Sequence, residues 1–573
     1  MKKTFSIFIL SLFLFFCHLT SIEAISPPLS VSNNYFGIHI SDQSDLEEAQ
    51  SLVNGNGGSW GYVTVVIRDD DLDLLKWQSF FDEMRRRELI PLVRLATHQK
   101  ENGWEKPTPE DSVKWAEFLS KLNWVVKNRY IILFNEPNHA KEWGGKISPE
   151  EYSLVVESFH KSLKEKSQDF FVISAGFDMA APKSSETMDA LVYFDRMYKS
   201  NAKVFEFFDG WSSHSYPNPG FTADPLDVGR KSIRSYQGEV ETLVRLGLKK
   251  DIPIFITETG WIHKEGVISI EAPDETQVSE YFKYSFENAW KHPQVVAVTP
   301  FILNYPNPPF DHFSWKKSDG TFYKQYETVR QMPKTKGNPL QINSYTFVND
   351  AIPTLLIADS LYSQQQQIKN TGQKIWYEGE VTVEIKSDFG EGEIVVSSVS
   401  YTESGDETTL NITFNTGPLK EKKKFRLQLF YLGKPFGEPI EREISIIPPS
   451  SLTLKAPLAF KLVNHESRDT KLLIYEDNVK LVKTVNDVIF VKGFAKIREL
   501  HDVIPGKVYR VVLVKPGYLP SQKFEYFGTE NTEITFPMML PLDYDKNGEF
   551  TLSDFMSFLV NPSALFTYIF PFN

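Results

Sequence analysis

Between residues 35 and 332, short apolar stretches alternate with longer amphipathic stretches eight times. The apolar stretches have the length and composition of strands buried on both faces, and the amphipathic stretches keep helical spacing. Eight strand–helix units in about 300 residues predict a (β/α)8 TIM barrel. An open doubly wound sheet is the alternative, but no glycine-rich phosphate-binding sequence follows the first strand. The predicted strands are 35–40, 61–67, 90–95, 130–134, 170–175, 207–213, 252–257 and 295–303.

Two of these strands end in a glutamate. The fourth runs into Asn135-Glu136-Pro137, and the proline cannot extend a ladder, so Glu136 is predicted at the carboxyl end of its strand. The seventh runs into Thr257-Glu258-Thr259. Barrel enzymes place their chemistry at this end of the strands, and cleavage of a glycosidic bond requires two carboxyl groups. Glu136 and Glu258 are therefore the predicted catalytic pair.

These two motifs resemble the retaining glycoside hydrolases of clan A, the cellulase- and xylosidase-like TIM-barrel enzymes, over about residues 35–330. The resemblance implies that Glu136 is the acid/base and Glu258 the nucleophile, with no cofactor for catalysis. It also implies that Asn135 hydrogen-bonds the sugar 2-hydroxyl. On strand six, His214-Ser215-Tyr216 is similar to the family's His-x-Tyr pattern. Tyr216 would then contact the nucleophile, and His214 would support the acid/base.

Other site residues are implied less directly. The family's arginine near the nucleophile could be Arg68 or Arg94, and Arg94, set in an apolar strand, needs a buried acidic partner more. The family's tryptophan at the end of strand eight is missing, and Trp315 in the following loop is the candidate to replace it. The tryptophans that follow strands three, four and seven are candidate walls of the cleft: Trp104, Trp143 and Trp261.

The first 24 residues predict a secretory signal. Met1-Lys2-Lys3 precedes an apolar stretch that ends at Cys17, and Ala24 offers a cleavage site. The predicted location is secreted or at the cell surface, with an uncleaved N-terminal anchor as the alternative. Cys17 is the only cysteine, so the mature chain would hold no disulfide. The net charge of −12 without a basic run argues against nucleic acid as a partner.

The barrel domain is predicted over residues 25–335, after which strand-like alternation replaces helical spacing. It predicts two β-sandwich-like modules, 336–449 and 450–540. The segment 541–573 begins with oxygen-bearing residues at the spacing of a calcium loop and resembles half of a dockerin, with an acidic surface turn as the alternative. A cell-surface or cohesin-type partner is a further candidate, although a complete dockerin repeats the loop. The predicted calcium-loop residues are Asp543, Asp545, Asn547, Glu549 and Asp554.

Together these features predict a secreted retaining glycoside hydrolase that acts on a polysaccharide or oligosaccharide. One alternative is a carbohydrate-binding or cell-surface structural protein whose barrel has lost turnover. The other is a transglycosylase with the same residues.

Overall fold

The computed structural model describes residues 25–101, 103–389, 393–418, 421–459, 466–477 and 479–563. The predicted secretory signal lies outside these residues. No helix in the described ranges is both long and apolar enough to cross a membrane. The chain divides into two compact units, Met1–Ile342 with Gly372–Ile375 and Asn343–Thr371 with Trp376–Asn573.

The first unit alternates strands β1 to β8 with helices α1 to α8. After β3, the two short segments Gln99–Lys100 and Gly103–Trp104 pair as an antiparallel hairpin. The strands are β1 Gly37–His39, β2 Gly61–Arg68, β3 Leu89–Ala96, β4 Arg129–Ile132, β5 Phe170–Ile173, β6 Trp211–His214, β7 Ile254–Glu258 and β8 Val295–Val298. The helices are α1 Leu46–Val53, α2 Leu74–Arg86, α3 Asp111–Lys121, α4 Pro149–Lys166, α5 Ala190–Ser200, α6 Ser235–Arg245, α7 Glu275–Tyr284 and α8 Lys324–Gln331. Shorter helical turns are Pro28–Ser30, Gln43–Asp45, Ala140–Glu142, Val204–Phe207, Ser285–Ala289 and Asp311–Phe313.

The eight strands form a nearly closed barrel of parallel neighbours. β1 to β5 make one parallel sheet in chain order, and β6 to β8 make a second. Isolated parallel bridges join the sheets on both sides, from Ile173 to Gly210 and from Phe36 to Val298. Each strand therefore neighbours the next one in the chain, and β8 returns to β1. The carboxyl ends of all eight strands meet at one end of this barrel.

Helix starts are set by side chains that accept hydrogen bonds from otherwise unpaired backbone N–H groups. Asp73 accepts from the first turn of α2, and Ser148 accepts from the N–H of Glu151 at the start of α4. Asp274 begins α7 with a reciprocal capping box. Each such cap stabilises its helix by about 1 kcal/mol. The helices therefore begin at fixed residues and hold the loops that surround the mouth of the barrel.

All eight predicted strands are present, each with bounds that differ from the prediction by one to five residues at one end or both. β4 ends at Ile132 because Phe134 and Glu136 take positive φ angles of 72° and 28°, outside the extended region. β6 begins at Trp211 because residues 204–207 form a helical turn. β8 ends at Val298, five residues before the predicted end.

The described residues of the second unit form three sheets and one helix. Two four-stranded sheets share one apolar core, which includes Leu410 and Phe425, and together they form a sandwich. The strands from residue 450 onward form one seven-stranded sheet with its own apolar core. In spatial order, the strands of the first sheet are Tyr345–Phe347, Leu361–Asn370, Glu407–Asn415 and Ile394–Val396. Those of the second are Leu355–Ile357, Lys434–Ile447, Lys422–Tyr431 and Val381–Ser387. The third contains Tyr518–Phe527, Lys507–Lys515, Glu466–Glu476, Lys480–Val491, Phe494–Leu500, Ser450–Lys455 and Asn531–Thr535, and the helix is Leu552–Val560.

Candidate active site

A cavity of about 730 Å³ opens at the carboxyl ends of the barrel strands. This volume is typical of sites that take a small molecule or part of a larger one. Five of its lining residues are among those predicted for catalysis or support: Arg94, Asn135, Glu136, Tyr216 and Glu258. They come from β3, from the turn after β4, from the loop after β6 and from β7. His214 is buried directly behind them.

Glu258 is the last residue of β7 and is held by donors on both carboxylate oxygens. Arg94 Nη1 donates to Oε1, and the Tyr216 hydroxyl donates to Oε2 at 3.1 Å. The parallel register of β6 and β7 pairs His214 with Glu258, which brings the His214 ring to the same carboxylate. Its Nδ1 lies 3.7 Å from Glu258 Oε2. The Glu258 carboxylate is therefore held by three neighbouring side chains.

The environment of Glu258 favours its ionised form. Burial by itself would raise the pKa of this carboxyl group. The positive charges of His214 and Arg94, together with the hydrogen bond from Tyr216, outweigh burial and lower the pKa to about 2. Glu258 is therefore a carboxylate throughout the neutral range, as attack on an electrophilic carbon requires.

Glu136 lies across from Glu258 and is joined to it through His214. His214 Nδ1 is 2.8 Å from Glu136 Oε1, and the N–H of Glu136 donates to the carbonyl of Gly176 at 3.1 Å. One oxygen of each carboxylate and one nitrogen of the histidine all lie within 4.8 Å of one another. Burial alone would lower the pKa of His214, but the two carboxylates raise it above its ordinary value. The ring therefore favours the charged form between the two acids.

Asn135 is oriented by hydrogen bonds on both ends of its amide. Its Oδ1 accepts from Arg94 Nη1 at 2.7 Å, and its Nδ2 donates to Glu142 Oε2 at 3.3 Å. Arg94 therefore links Asn135 to Glu258, and it is the arginine of the site. Arg68, the other candidate, is exposed and pairs with Asp70 at 2.9 Å.

The structure does not bring Trp261 and Trp315 into the cavity. Both are buried in the core, where each packs against Phe282, with ring centroids 5.2 Å and 4.7 Å apart respectively. Trp261 also donates from its indole nitrogen to the carbonyl of Ala223 at 2.8 Å. Other aromatic residues line the cavity instead, and besides Tyr216 they are Trp104, Phe134, Phe221, Phe301, Tyr305, Phe310 and Phe313.

Sequence reasoning missed several charged or titratable residues of the site. His39 at the end of β1 has its Nδ1 3.9 Å from Glu258 Oε1, and burial followed by the charge of Arg94 lowers its pKa to about 3. His39 is therefore neutral at physiological pH. His139 Nε2 and Asp178 Oδ2 form a pair at 2.9 Å in the cavity wall. Glu142 also lines the cavity, and burial, reinforced by the charge of Glu136, raises its pKa to about 7.

The predicted calcium loop forms a compact turn in the second unit. One oxygen each from Asp543, Asp545 and Asp554 lies within 4.8 Å of the others. The Asn547 amide donates to Asp545 at 2.8 Å, and its oxygen accepts from the N–H of Glu549 at 2.8 Å. The side chain of Glu549 is exposed. Three of the five predicted ligands are thus brought together, and carboxylate oxygens are the donors that Ca²⁺ prefers.

The chain matches no protein-family model and no curated protein sequence. Among solved structures it is similar to a β-glucuronidase from Parabacteroides merdae, with 8% identity over 86% of this chain and 61% of that chain and a TM-score of 0.32. It is also similar to an agarase, with 11% identity over 50% of this chain and 47% of that chain and a TM-score of 0.31. A shorter match is to α2-macroglobulin from E. coli, with 14% identity over 24% of this chain and 10% of that chain and a TM-score of 0.15. The chain thus spans less than two thirds of each, and likenesses this distant do not establish its activity.

Proposed function

We propose that this chain is a retaining glycoside hydrolase whose first unit is a (β/α)8 TIM barrel of the clan A type. The observation that carries the proposal is the approach of Glu136 and Glu258, whose nearest carboxylate oxygens lie within 4.8 Å of each other. Retaining enzymes hold their carboxyl groups about 5–5.5 Å apart, whereas inverting enzymes need about 6.5–9.5 Å to admit a water. The close pair therefore favours double displacement over a single attack by water.

In the first step, Glu258 attacks the anomeric carbon while Glu136, which is protonated in the reactive form of the site, donates that proton to the leaving glycosidic oxygen. The carbon–oxygen bond to the leaving group breaks as the bond to the Glu258 oxygen forms. Arg94 and Tyr216 hold the attacking carboxylate in one orientation, which reduces the entropy lost on reaching the transition state. Asn135, fixed between Arg94 and Glu142, is placed to hydrogen-bond the sugar next to the bond that breaks.

In the second step, Glu136 acts as a base. It removes a proton from a water molecule, and that water attacks the anomeric carbon and releases Glu258. The charge of Glu258 is absent while the glycosyl ester exists, so the charged His214 ring is left with Glu136 as its nearest carboxylate partner. We infer that His214 stabilises the ionised Glu136 at this stage.

A metal centre is the chemical rival at this site, because Glu136, His214 and Glu258 are also a possible ligand set. The hydrogen bonds argue against it. Both oxygens of Glu258 already accept from donors, and one of these donors is the positively charged Arg94. A cation bound to Glu258 would have to displace the guanidinium or lie beside it, at a large Coulomb cost.

The test of the proposal is covalent trapping. An activated 2-fluoro glycoside should label Glu258 in the native protein, and peptide mass spectrometry would locate the adduct. Glu258→Ala should not be labelled, whereas Glu241→Ala, which removes an exposed glutamate on α6, should label normally. If no sugar in a broad panel labels Glu258, the protein is better explained as a carbohydrate-binding protein without turnover.

We also propose that the chain is exported and that residues 543–554 bind Ca²⁺. Export rests on the N-terminal sequence pattern, and secretion of a reporter fused to residues 1–40 would test it. The calcium site is supported by the clustered oxygens of Asp543, Asp545 and Asp554. Isothermal titration of the chain with Ca²⁺, before and after Asp545→Ala, would test this assignment independently of glycosidase activity.

A further inference from the structure

The cavity offers no unpaired cation to a ligand. Among the described residues that line it, only Arg94 and His139 can carry positive charge. Arg94 already binds Glu258 and Asn135, and His139 already binds Asp178 at 2.9 Å. His214, behind the cavity, is held by the catalytic glutamates. Each of these three positive groups of the described residues is thus paired with a carboxylate of the protein itself.

The lysines at the mouth of the cavity are committed in the same way. The loop after β3 places Lys100 and Lys106 beside Trp104, which lines the cavity. Lys100 forms an ion pair with Glu105, and Lys106 pairs with Glu151 at 3.0 Å. Neither lysine is therefore available to a negatively charged sugar without breaking an existing pair.

Carboxylates, in contrast, outnumber cations in the cavity. Four of its lining residues are acids: Glu136, Glu142, Asp178 and Glu258. Three of them have a cationic partner, but Glu142 has none. In the described part of the chain, the one hydrogen bond that its side chain makes comes from the Asn135 amide at 3.3 Å, and this side chain takes part in no ion pair. Glu142 is therefore the unpaired acid of the cavity, and it lies beside the residue expected to hold the sugar.

Apart from the polar side chains of Thr97 and Gln99, much of the remaining wall is aromatic. Phe301 packs edge-on against Phe310 and Phe313, with centroids 5.2 Å and 5.8 Å apart, and Tyr305 extends this wall. Aromatic faces of this kind contact the CH groups of a sugar ring and cannot neutralise a charge. A substrate carboxylate would lose its hydration in the cavity without gaining a counter-ion, which is strongly unfavourable.

We propose that the sugar bound in this cavity is uncharged, and that Glu142 excludes sugars that carry a carboxylate, such as uronic acids. This inference rests on the proposed glycosidase function and specifies its substrate class. Glu142 would accept a hydrogen bond from a sugar hydroxyl and repel an acidic substituent at the same place. The charge of Arg94 reaches Glu142, but the Arg94 guanidinium is already bound to Glu258 and Asn135.

The direct experiment compares matched aryl glycosides that differ only in one carboxylate. Glucoside and glucuronide form one pair, galactoside and galacturonide the other, each in both anomeric forms. We expect the neutral member of the cleaved pair to have a kcat/KM at least about 100-fold higher, because a buried unpaired charge is a strong determinant of specificity. A uronide cleaved as fast as its neutral counterpart would overturn the inference and leave the glycosidase function standing.

Binding separates the inference from catalysis. Glu136→Gln should block turnover, so that binding can be measured alone. The substitution also removes one negative charge from the cavity, which favours acidic ligands. Continued exclusion of uronates by this variant would therefore be strong support for the inference. On a glycan array we expect this variant to retain neutral glycans and not uronate-containing ones. Such selective binding without any turnover by the native enzyme would support the inference while refuting the proposed function. Preference for uronates, or no glycan binding at all, would overturn the inference.

The role of Glu142 is tested by Glu142→Gln. The matched control is Glu241→Gln, which changes an exposed glutamate on α6. Each variant removes one carboxylate and keeps its shape. We expect Glu142→Gln to reduce the ratio of neutral to uronide kcat/KM at least about tenfold, while the control keeps the native ratio. If the two variants discriminate equally, Glu142 does not set this specificity.

Discussion

Gly176 is the residue whose substitution tests the geometry of the site most sharply. It lies after β5, and its missing side chain makes room for the His214 ring. A Cβ built at this position would sit 2.0 Å from His214 Cδ2 and 2.2 Å from Nε2. These atoms form the ring edge opposite Nδ1, which is 2.8 Å from Glu136 Oε1. The ring therefore cannot move away from a new methyl group without compressing its bond to Glu136.

The expected effect of Gly176→Ala follows from these distances. Ordinary contact begins at 3.4 Å, so the ring would have to shift by about 1.4 Å, or Glu136 would have to move with it. A displacement of about 1 Å in a catalytic group typically reduces the rate about 100-fold, which corresponds to roughly 2.7 kcal/mol. Crowding of a packed region also lowers the free energy of unfolding by about 1–3 kcal/mol. We therefore expect a folded protein of lower stability with about 1% of the native kcat/KM.

The assay is kcat/KM on the best glycoside found, together with the fraction of Glu258 labelled by the 2-fluoro reagent. Chemical denaturation measures the stability change separately. Gly238→Ala is the matched control, because its Cβ would meet no atom within 4 Å and it lies inside α6. That variant should keep full activity and gain about 0.5–1 kcal/mol of stability. If Gly176→Ala remains folded and retains activity within threefold of the native value, the placement of His214 against Glu136 is wrong.

Three further predictions concern separate groups. Tyr216→Phe removes the hydrogen bond to the ionised Glu258, and we expect kcat/KM to fall roughly 10- to 100-fold. Because the pKa of Glu258 rises without this bond, the acidic limb of the pH profile of kcat/KM should move to higher pH. An unchanged pH profile would contradict the contact. The pKa of Glu142 is about 7 in the fold against an ordinary value of 4.5, so between these pH values the native state binds more protons than the unfolded state. The free energy of unfolding therefore falls as pH rises through this window. Glu142→Gln should therefore stabilise the protein by about 1–2 kcal/mol at pH 8 and by much less at pH 4.5, as measured by urea denaturation at both pH values. Calcium should raise the Tm of the native protein and of Glu549→Ala, whose side chain is exposed, but not that of Asp545→Ala; equal shifts in all three would refute the loop as the binding site.

The strands and helix starts could be predicted because their signals are local. A run of apolar residues or a cap such as Ser148-Pro149 is readable within a few positions of the chain. The pair Glu136 and Glu258 was found for a related reason, since each follows a strand and the carboxyl ends of barrel strands must meet. The proximity of the two glutamates was predictable from their positions at the ends of barrel strands, not from any property of the glutamates themselves.

Strand ends were predicted less well because apolar residues continue beyond the ladder. Leu133 and Phe134 are buried, yet β4 stops at Ile132. These side chains fill space under the loops at the mouth of the barrel, so they look like strand residues without pairing as such. The same reasoning applies to Trp261 and Trp315, which were expected to line the cleft and instead fill the core behind it. Large aromatic residues near a site give no local sign of which side of the wall they occupy.

Glu142 shows most clearly what local reasoning misses. Glu142, Glu150 and Glu151 lie within ten residues of one another and look equivalent in sequence. Glu150 pairs with Arg196, and Glu151 pairs with Lys106. The helical turn Ala140–Glu142 directs Glu142 alone into the cavity, where it meets Asn135 and the field of Glu136. The specificity proposed for Glu142 depends on its having no cationic partner. Which acids have such a partner is decided only when the fold brings distant residues together, so it cannot be read from the neighbouring sequence.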